Sequence, residues 1–425
     1  MRFLHRSGSF SLAAFTLLLV LACGDQYRPV ANPIVGPGGQ PQTEHFAYVV
    51  NNNPAGNGST MQLDVSGDTV TQLQTTGLGS NYESFLANSA GAVFVTNGNN
   101  DSVSEFNVAL TGVVTTINLP LGSHPVAVTS GQAGVMYVLN SQPNSTCQGG
   151  GSISTISTAT LTVISTVCLV TDQPALVYAT NPVAMVQAPG GRIFIASQGD
   201  NNIWVYDPST QSVFAVLSMA NGIGLNPVFL TASPDGAYIF VVAEGDGTNP
   251  GSLNIISTSN LGAVPSVPLG IKPTFAFYDP TLVRLYVTSS GSNLVSVFDA
   301  SNINFSNSPA IPLLGTTTVG TAPVSVTALP NGTKFYVANS GSASVTDVSA
   351  TSFGVLQTIA LPAGSTPAWI ASEPTSTKIY VANQSSTSII QTSNDAVVTN
   401  MAAPPQDPNC TSSCALQQPV MIITN

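Results

Sequence analysis

The chain has 425 residues, a formal net charge of −11 and a charged fraction of only 6%. Apolar residues nevertheless make up 43% of the chain, which is too many for a disordered protein. A chain with this acidic balance and so few basic side chains repels phosphate backbones, so nucleic acid is excluded as an expected partner.

The N-terminal residues have the features of an export signal. Arg2 and Arg6 precede an apolar stretch from Phe10 to Ala22, and Cys23 follows. The stretch is shorter than the ~20 residues that a membrane span needs, so residues 1–22 are predicted to be a signal peptide. Small Ala22 before Cys23 resembles the lipobox of bacterial lipoproteins, which implies cleavage before Cys23 and lipidation of its thiol. The alternative is an ordinary secretory signal followed by an incidental cysteine.

Residues 23–45 are predicted to be the lipidated cysteine and a flexible tether. The segment is rich in Pro, Gly and Gln and shows no apolar period. An anchor with two or more acyl chains holds a protein stably at a membrane. We therefore expect an extracytoplasmic protein, lipid-anchored to the bacterial cell envelope on the periplasmic side or at the cell surface.

A phrase with an aromatic residue between aliphatic residues returns throughout residues 46–425. It reads FAYVVN at 46–51, VFVTN at 93–97, MYVLN at 136–140, RIFIAS at 192–197, YIFVVA at 238–243, RLYVTS at 284–289, KFYVAN at 334–339 and KIYVAN at 378–383. Repeats of ~40–50 residues built from short apolar runs are typical of β-propellers. Within 323–361, turn residues separate four such runs, which predicts one blade of four antiparallel strands, a to d.

The two ends of the repeat predict how the ring closes. The first phrase has no strand a before it, whereas QPVMIITN at 418–425 is a strand a with no strand b after it. Joining the two removes exposed sheet edges. We therefore predict an all-β, eight-bladed β-propeller closed by the C-terminal strand joining blade 1. Seven blades is the alternative, should residues 46–80 not form a blade.

The later phrases also carry a family resemblance. RLYVTS, KFYVAN and KIYVAN, with VSVFDAS at 295–301, resemble the YVTN family of β-propeller repeats. The resemblance covers about 46–425 and implies an exported or cell-surface protein, and many members of that family have no assigned activity. The YVLN of blade 3 and the FVVA of blade 5 depart from the pattern.

The loops predict which face of the propeller is elaborated. The b–c and d–a loops share one face, called here the mouth face, and the a–b and c–d loops share the plain face. Insertions gather on the mouth face, at 141–152, 170–180, 244–252, 302–322 and 402–418. We expect this face to carry function, because rigid scaffolds present functional loops. Four cysteines are expected to form disulfides there, with Cys147 and Cys168 at neighbouring strand ends and Cys410 and Cys414 closing a small loop.

A ring of side chains is predicted around the axial opening of the mouth face. The residues that precede strand a in each blade form this candidate binding mouth: Asn81, His124, Asn181, Asn226, Lys272, Ala322, Thr366 and Gln418. Such a polar and nearly uncharged ring suits a sugar or a peptide better than an ionic substrate. The alternative is that these residues cap strand ends and hold water.

Motifs for catalysis and cofactor binding are absent from the sequence. The only histidines outside the signal are His45 and His124, and there is no CxxC, GxSxG or GxxxxGK[ST]. We predict no catalytic residues and no cofactor. The acidic b–c loops are weak calcium candidates through Asp101, Asp200, Glu244 and Asp246, although none matches an EF-hand and solvated turns are the alternative.

Other recurring residues are predicted to be structural. The aspartates expected to end strands c and cap the turns after them are Asp64, Asp207, Asp299 and Asp347. Trp204 and Trp369 are expected in the core. We therefore expect a monomeric module that binds or scaffolds a protein, peptide or glycan of the envelope. The alternatives are a lactonase-like propeller hydrolase that uses the axial mouth, and a purely structural envelope protein.

Overall fold

The computed structural model describes residues 30–31, 46–64, 68–74, 79, 82–87, 92–107, 114–131, 134–171, 176–263, 266–307, 309–407, 409–410 and 414–424. The predicted signal peptide, Cys23, His45 and Asn81 lie outside these ranges. Within them, no helix is long and apolar enough to cross a membrane.

Eight four-stranded antiparallel blades form the described part of the chain, as predicted. The inner strands a, for blades 1 to 8, are Gln418–Thr424, Tyr82–Ala87, Pro125–Ser130, Pro182–Gln187, Pro227–Ala232, Pro273–Asp279, Pro323–Ala328 and Pro367–Ser372. Strands b are Phe46–Asn52, Ala92–Asn97, Val135–Asn140, Ile193–Ser197, Tyr238–Ala243, Arg284–Ser289, Lys334–Asn339 and Lys378–Asn383.

The outer half of each blade completes the sheet. Strands c are Ser59–Asp64, Ser102–Asn107, Ser152–Ser157, Asn202–Asp207, Pro250–Ser257, Leu294–Asp299, Ser344–Ser349 and Ser386–Gln391. Strands d are Thr69–Gln74, Thr115–Asn118, Thr162–Cys168, Ser212–Leu217, Val267–Ile271, Leu313–Thr318, Val355–Ala360 and Ala396–Ala402. Smaller elements are the strand Val30–Ala31, the pair Val170–Thr171 and Val177–Tyr178, and 3-10 turns at Gly98–Asn100 and Met219–Asn221.

The C-terminal strand closes the ring, which confirms the prediction from the two ends of the repeat. Strand Gln418–Thr424 pairs with Phe46–Asn52 in antiparallel register, with Thr424 opposite Ala47. Side chains add to the closure, since the Ser59 hydroxyl donates to Gln417 Oε1 at 2.7 Å. Blade 1 therefore takes strand a from the C-terminal end of the propeller domain and strands b to d from its N-terminal end.

Prolines begin six of the eight inner strands, because the first residue of a strand needs no N–H donor for the ladder. The preceding residue has a left-handed backbone in five blades, with φ of 48° at His124, 50° at Asn181, 59° at Asn226, 50° at Lys272 and 50° at Ala322. Asn tolerates this conformation better than most residues, which explains its use at two of the five positions. The candidate mouth residues are thus placed by the turn from strand d into strand a.

The final Asn of the repeated phrase ties strand b to strand c. The Asn339 amide donates to the hydroxyls of Ser344 at 3.2 Å and Thr346 at 3.0 Å. The equivalent amides of Asn97 and Asn140 donate to pairs of serines on their own strands c. All three Asn residues are fully buried, so these bonds satisfy donors that water cannot reach.

Aromatic side chains fill part of the axial channel. Phe229 of blade 5 lies 4.7 Å from Phe275 of blade 6 between ring centroids, and Phe275 lies 5.3 Å from Trp369 of blade 8. The rings of Phe275 and Trp369 come from the strands a of blades 6 and 8. They therefore meet on the axial side of strand a of blade 7, which lies between those two blades. Trp204 and Trp369 are both buried, as predicted.

Candidate functional site

The mouth residues form side-chain pairs at the inner end of several blades. The Asn181 amide donates to Gln198 Oε1 at 2.9 Å, and the Asn226 amide donates to Glu244 Oε2 at 2.8 Å. In each pair the second residue follows strand b of the same blade. The rim of the mouth therefore presents amides in blades 4 and 5, where Asn226 already engages Glu244, and it also includes His124 and Lys272.

The backbone of the same ring joins each blade to the next. The His124 N–H donates to Asp101 Oδ1 at 2.8 Å, and the Ala322 N–H donates to Asn293 Oδ1 at 2.9 Å. Asn226 makes the equivalent bond to Asn201 Oδ1 at 2.7 Å. The acceptors belong to the b–c loop of the preceding blade, so the backbone at these positions has a structural task.

A cavity of about 340 Å³ opens on the mouth face between blades 3 and 4. Its lining residues come from the b–c loop of blade 3 and the connection into blade 4, and they are Ser141, Gln142, Pro143, Gly149, Gly150, Ala179, Thr180 and Asn181. None of these side chains is ionisable. The volume lies within the ~300–1,000 Å³ of small-molecule sites, so the cavity has room for a few residues of a peptide or a small sugar.

A disulfide and a small backbone ladder hold the walls of this cavity. Cys147 and Cys168 are bonded, with their Cα atoms 5.3 Å apart, which confirms the predicted pair. Gly151 N–H donates to Ala179 O at 2.9 Å, and Leu169 N–H donates to Gly151 O at 3.0 Å. The inserted loops of blade 3 are therefore fixed to the chain that enters blade 4. The second predicted disulfide, Cys410–Cys414, is also present.

Exposed leucines flank the cavity. Leu121 is 79% exposed in the connection from blade 2 to blade 3, and its carbonyl accepts the Ser145 N–H at 2.9 Å. Leu176 is 65% exposed in the inserted loop whose later residues line the cavity. The site thus combines neutral polar groups with apolar surface at its edge.

The four weak calcium candidates lie in three separate loops, with Glu244 and Asp246 together in the b–c loop of blade 5. Both carboxylate oxygens of Asp101 accept backbone N–H groups, from Gly122 and His124. Asp246 accepts the backbone and side chain of both Thr248 and Asn249, and the bonds from Asn249 and Thr248 lower the pKa of Asp246. Asp200 Oδ2 accepts the Trp204 indole N–H at 2.9 Å. Among the described residues, no three His, Cys, Asp or Glu side chains cluster as a metal site would require.

A charged cluster on the plain face joins blades 7 and 8, and sequence reasoning missed it. Lys334 Nζ lies 2.8 Å from Asp347 Oδ2 and 2.9 Å from Asp395 Oδ2. The Tyr336 hydroxyl donates to Asp395 Oδ1 at 2.7 Å. Burial raises the pKa of Asp347 to about 6, although the hydrogen bond from Lys334 opposes the shift. Burial and the bond to Asp395 raise the pKa of Tyr336.

This cluster corrects the prediction that Asp347 caps a turn. Asp347 lies within Ser344–Ser349 and its side chain is fully buried, so it faces the blade junction rather than the turn. Asp207 and Asp299 do cap turns, since each accepts the N–H and hydroxyl of the serine two residues later. Asp64 ends its strand, and its side chain lies outside the described part of the structure.

Other basic residues at the start of strand b also reach the next blade. Lys378 Nζ lies 2.6 Å from Asp68 Oδ1, which joins blade 8 to blade 1 across the ring closure. The Arg284 guanidinium donates to Ala350 O in blade 7. The sequence does contain a sign of these contacts between blades. The phrases RLYVTS, KFYVAN and KIYVAN each begin with a basic residue.

Comparisons with solved structures support the propeller fold alone, because sequence identities are low. The dihydro-heme d1 dehydrogenase NirN in complex with DHE matches with a TM-score of 0.65 at 10% identity, over 86% of this chain and 75% of that one. Apo AztD from Citrobacter koseri matches with a TM-score of 0.57 at 12% identity, over 90% and 98%. A putative 6-phosphogluconolactonase from Bacteroides uniformis matches with a TM-score of 0.53 at 16% identity, over 75% and 97%.

Sequence comparisons give no closer assignment. No family model matches the chain, and no curated protein matches it. The structures that resemble this chain belong to proteins with different names. Its function therefore has to be argued from its own site.

Proposed function

We propose that this protein is an exported lipoprotein of the cell envelope, of YVTN type, whose mouth face binds an uncharged ligand. The ligand is a peptide segment or a glycan that carries neutral polar groups. The leader, Cys23 and the YVTN-like phrases support the envelope assignment. Incorporation of labelled palmitate into the wild type, and its loss in Cys23→Ser, tests the anchor. Equal labelling of both proteins would refute it.

The cavity between blades 3 and 4 carries the binding proposal. Its lining offers hydroxyls, amides and glycine backbone, with no ionisable side chain. An ionic ligand would be left without a counter-charge in this cavity, whereas a neutral ligand can pair with amides and hydroxyls at little desolvation cost. The disulfide pre-organises the walls, which reduces the ordering cost of binding.

The charged groups near the mouth favour recognition over hydrolysis. Glu244, Asp101 and Asp246 each accept hydrogen bonds from neighbouring groups in the loops. A general acid or base must instead reach the substrate within hydrogen-bond distance. The described pair of close carboxylates, Asp347 and Asp395, lies on the opposite face.

The binding proposal is tested with arrays of neutral glycans and of envelope peptides, probed with the mature body. For the best ligand found, calorimetry compares the wild type with Gln142→Ala and Thr180→Val. Each variant removes one hydrogen-bonding group of the cavity, so affinity should fall ~3–10-fold. Gln357→Ala, on the exposed strand d of blade 7, is the matched control and should bind like the wild type. Unchanged affinity in both cavity variants would refute the proposal.

A further inference from the structure

A fifth strand is attached to blade 2 on its axial side. Val30 and Ala31 pair in parallel with strand a of that blade, with Val30 opposite Ser84 and Ala31 opposite Phe85. Strand a is the innermost strand of each blade, and its other edge pairs with strand b. The added strand therefore lies in the axial channel, separated in sequence from the first strand of the propeller ring.

The third residue of strand a differs in size around the channel. It is bulky in blades 5, 6 and 8, where it is Phe229, Phe275 and Trp369, and in blade 1, where the third residue counted from Pro419 is Met421. In blade 7 it is the small Ser325, which lies between the aromatic positions of blades 6 and 8. The third residue is also small in the three consecutive blades 2, 3 and 4, where it is Ser84, Ala127 and Ala184. The Phe275 ring contacts both Phe229 and Trp369, so the three rings lie on the side of the channel bounded by blades 5 to 8. The half bounded by blades 2 to 4 has no bulky residue at that level.

We propose that this half of the channel is a slot for an extended chain, and that the segment around Val30 is its built-in occupant. An inner strand has a free edge of backbone N–H and C=O groups, and an extended segment satisfies them by adding a strand. Alanine at the third position in blades 3 and 4 leaves space for a second backbone beside strand a of blade 2. The bulky residues of blades 5, 6 and 8 exclude a strand from the other half.

The direction of the added strand agrees with this assignment. Strand a runs from the mouth face to the plain face, and the parallel pairing gives Val30–Ala31 the same direction. Strand Phe46–Asn52 runs the opposite way and begins at the plain face, as the antiparallel register with Gln418–Thr424 shows. A chain that passes down the slot therefore leaves it on the side where the propeller begins. The added strand and the aromatic rings of blades 5, 6 and 8 together block the channel between the mouth face and the plain face.

Hydrogen exchange of the unmodified protein tests the occupancy directly. A strand paired with blade 2 should protect at least one amide at Val30 or Ala31, slowing its exchange at least 10-fold relative to a synthetic peptide of residues 24–36. Exchange of both amides at the peptide rate would overturn the proposal. This measurement does not depend on any ligand, so it stands apart from the proposed binding function.

A cysteine pair tests the register. Adjacent strands lie about 4.8 Å apart, within the range that a disulfide bridges, so Val30→Cys with Ser84→Cys should crosslink spontaneously. Val30→Cys with Ser325→Cys is the matched control, because Ser325 occupies the same position in blade 7. Peptide mapping of non-reduced digests should find the crosslink in the first variant only. Equal crosslinking in both would overturn the proposal, and so would its absence from a folded first variant.

Discussion

The plain face and the mouth face join neighbouring blades with different chemistry. On the plain face, Lys334, Lys378 and Arg284 extend from the start of strand b into the next blade, and two of the three meet carboxylates. On the mouth face, Asn201 and Asn293 accept backbone N–H groups of the next blade through neutral amides, and Asp101 does so through its carboxylate. The described ion pairs between blades thus lie on the plain face, whereas neutral groups line the cavity on the mouth face. The plain face therefore serves assembly, and the mouth face is the one for which we propose recognition.

The largest effect is expected from removing the lysine between blades 7 and 8. Lys334→Ala leaves the buried Asp347 carboxylate beside Asp395 with no compensating charge, so the free energy of unfolding should fall by ~3–5 kcal/mol. Chemical denaturation measures the loss. Lys272→Ala on the mouth face is the control and should change stability by less than ~0.5 kcal/mol, since no described ion pair includes it. Equal losses would remove the distinction between the faces.

A smaller effect is expected from the disulfide that shapes the cavity. Replacing Cys147 and Cys168 by Ser frees a loop with a sequence separation of 21, which should cost ~3 kcal/mol in unfolding free energy. The same change at Cys410 and Cys414, with a separation of 4, should cost ~2 kcal/mol. Ligand affinity should fall in the first variant alone. A loss of affinity in the second variant alone would place the site on the C-terminal loop instead.

The plain-face cluster also predicts how stability depends on pH. The pKa of Asp347 is raised to about 6 in the folded protein, so the native state holds more protons than the unfolded state above pH ~4. Stability should therefore decrease as pH rises from ~4 to ~6, by up to ~3 kcal/mol. Asp347→Asn should flatten this slope in denaturation series at successive pH values.

A second aspartate provides the control for that slope. Hydrogen bonds from Ser209 lower the pKa of Asp207, so its contribution to stability is lost only as pH falls below the ordinary range of a carboxyl group. Asp207→Asn should leave the slope between pH ~4.5 and ~6 unchanged. If the slope persists in Asp347→Asn, the buried carboxylate is not its source.

The smallest effect concerns the amide that ends the repeated phrase. Asn339→Ala removes a buried amide that bonds Ser344 and Thr346, and should destabilise the protein by ~1–2 kcal/mol. The exposed Gln357→Ala should change stability by less than ~0.5 kcal/mol. Thermal unfolding of the two variants side by side measures the difference. Equal melting temperatures would show that the amide adds nothing beyond the strand pairing.

The architecture could be predicted because its signals are local and repeated. The aromatic phrases located the strands b, the prolines located the strands a, and the unpaired segments at 46–51 and 418–425 implied the closing strand. The Cys147–Cys168 disulfide followed from the strand ends that the repeat assigned to the two cysteines, and the Cys410–Cys414 disulfide followed from their close spacing. Each of these inferences needs only the order of strands in the repeat or the spacing of nearby residues.

The site could be predicted only in part because its contacts depend on neighbouring blades. Lys334 and Asp395 are 61 residues apart, and nothing in one repeat shows which side chain of the next blade it will meet. Phe275 and Trp369 look like ordinary strand residues until the ring brings them together across blade 7. The cavity between blades 3 and 4 arises from insertions that have no equivalent in other blades. Contacts between side chains of different blades could therefore be identified only from the structure.

The central claim is that the mouth face binds and the plain face does not. Its most direct test compares ligand binding by the wild type and two loop variants of the mature body. In one variant short turns replace the mouth-face loops 170–180 and 244–251, and in the other a Gly-Ser turn replaces the plain-face loop 329–333. We predict that the first variant folds but loses binding, whereas the second binds like the wild type. Retained binding by the first variant, with an unchanged affinity, would contradict the account.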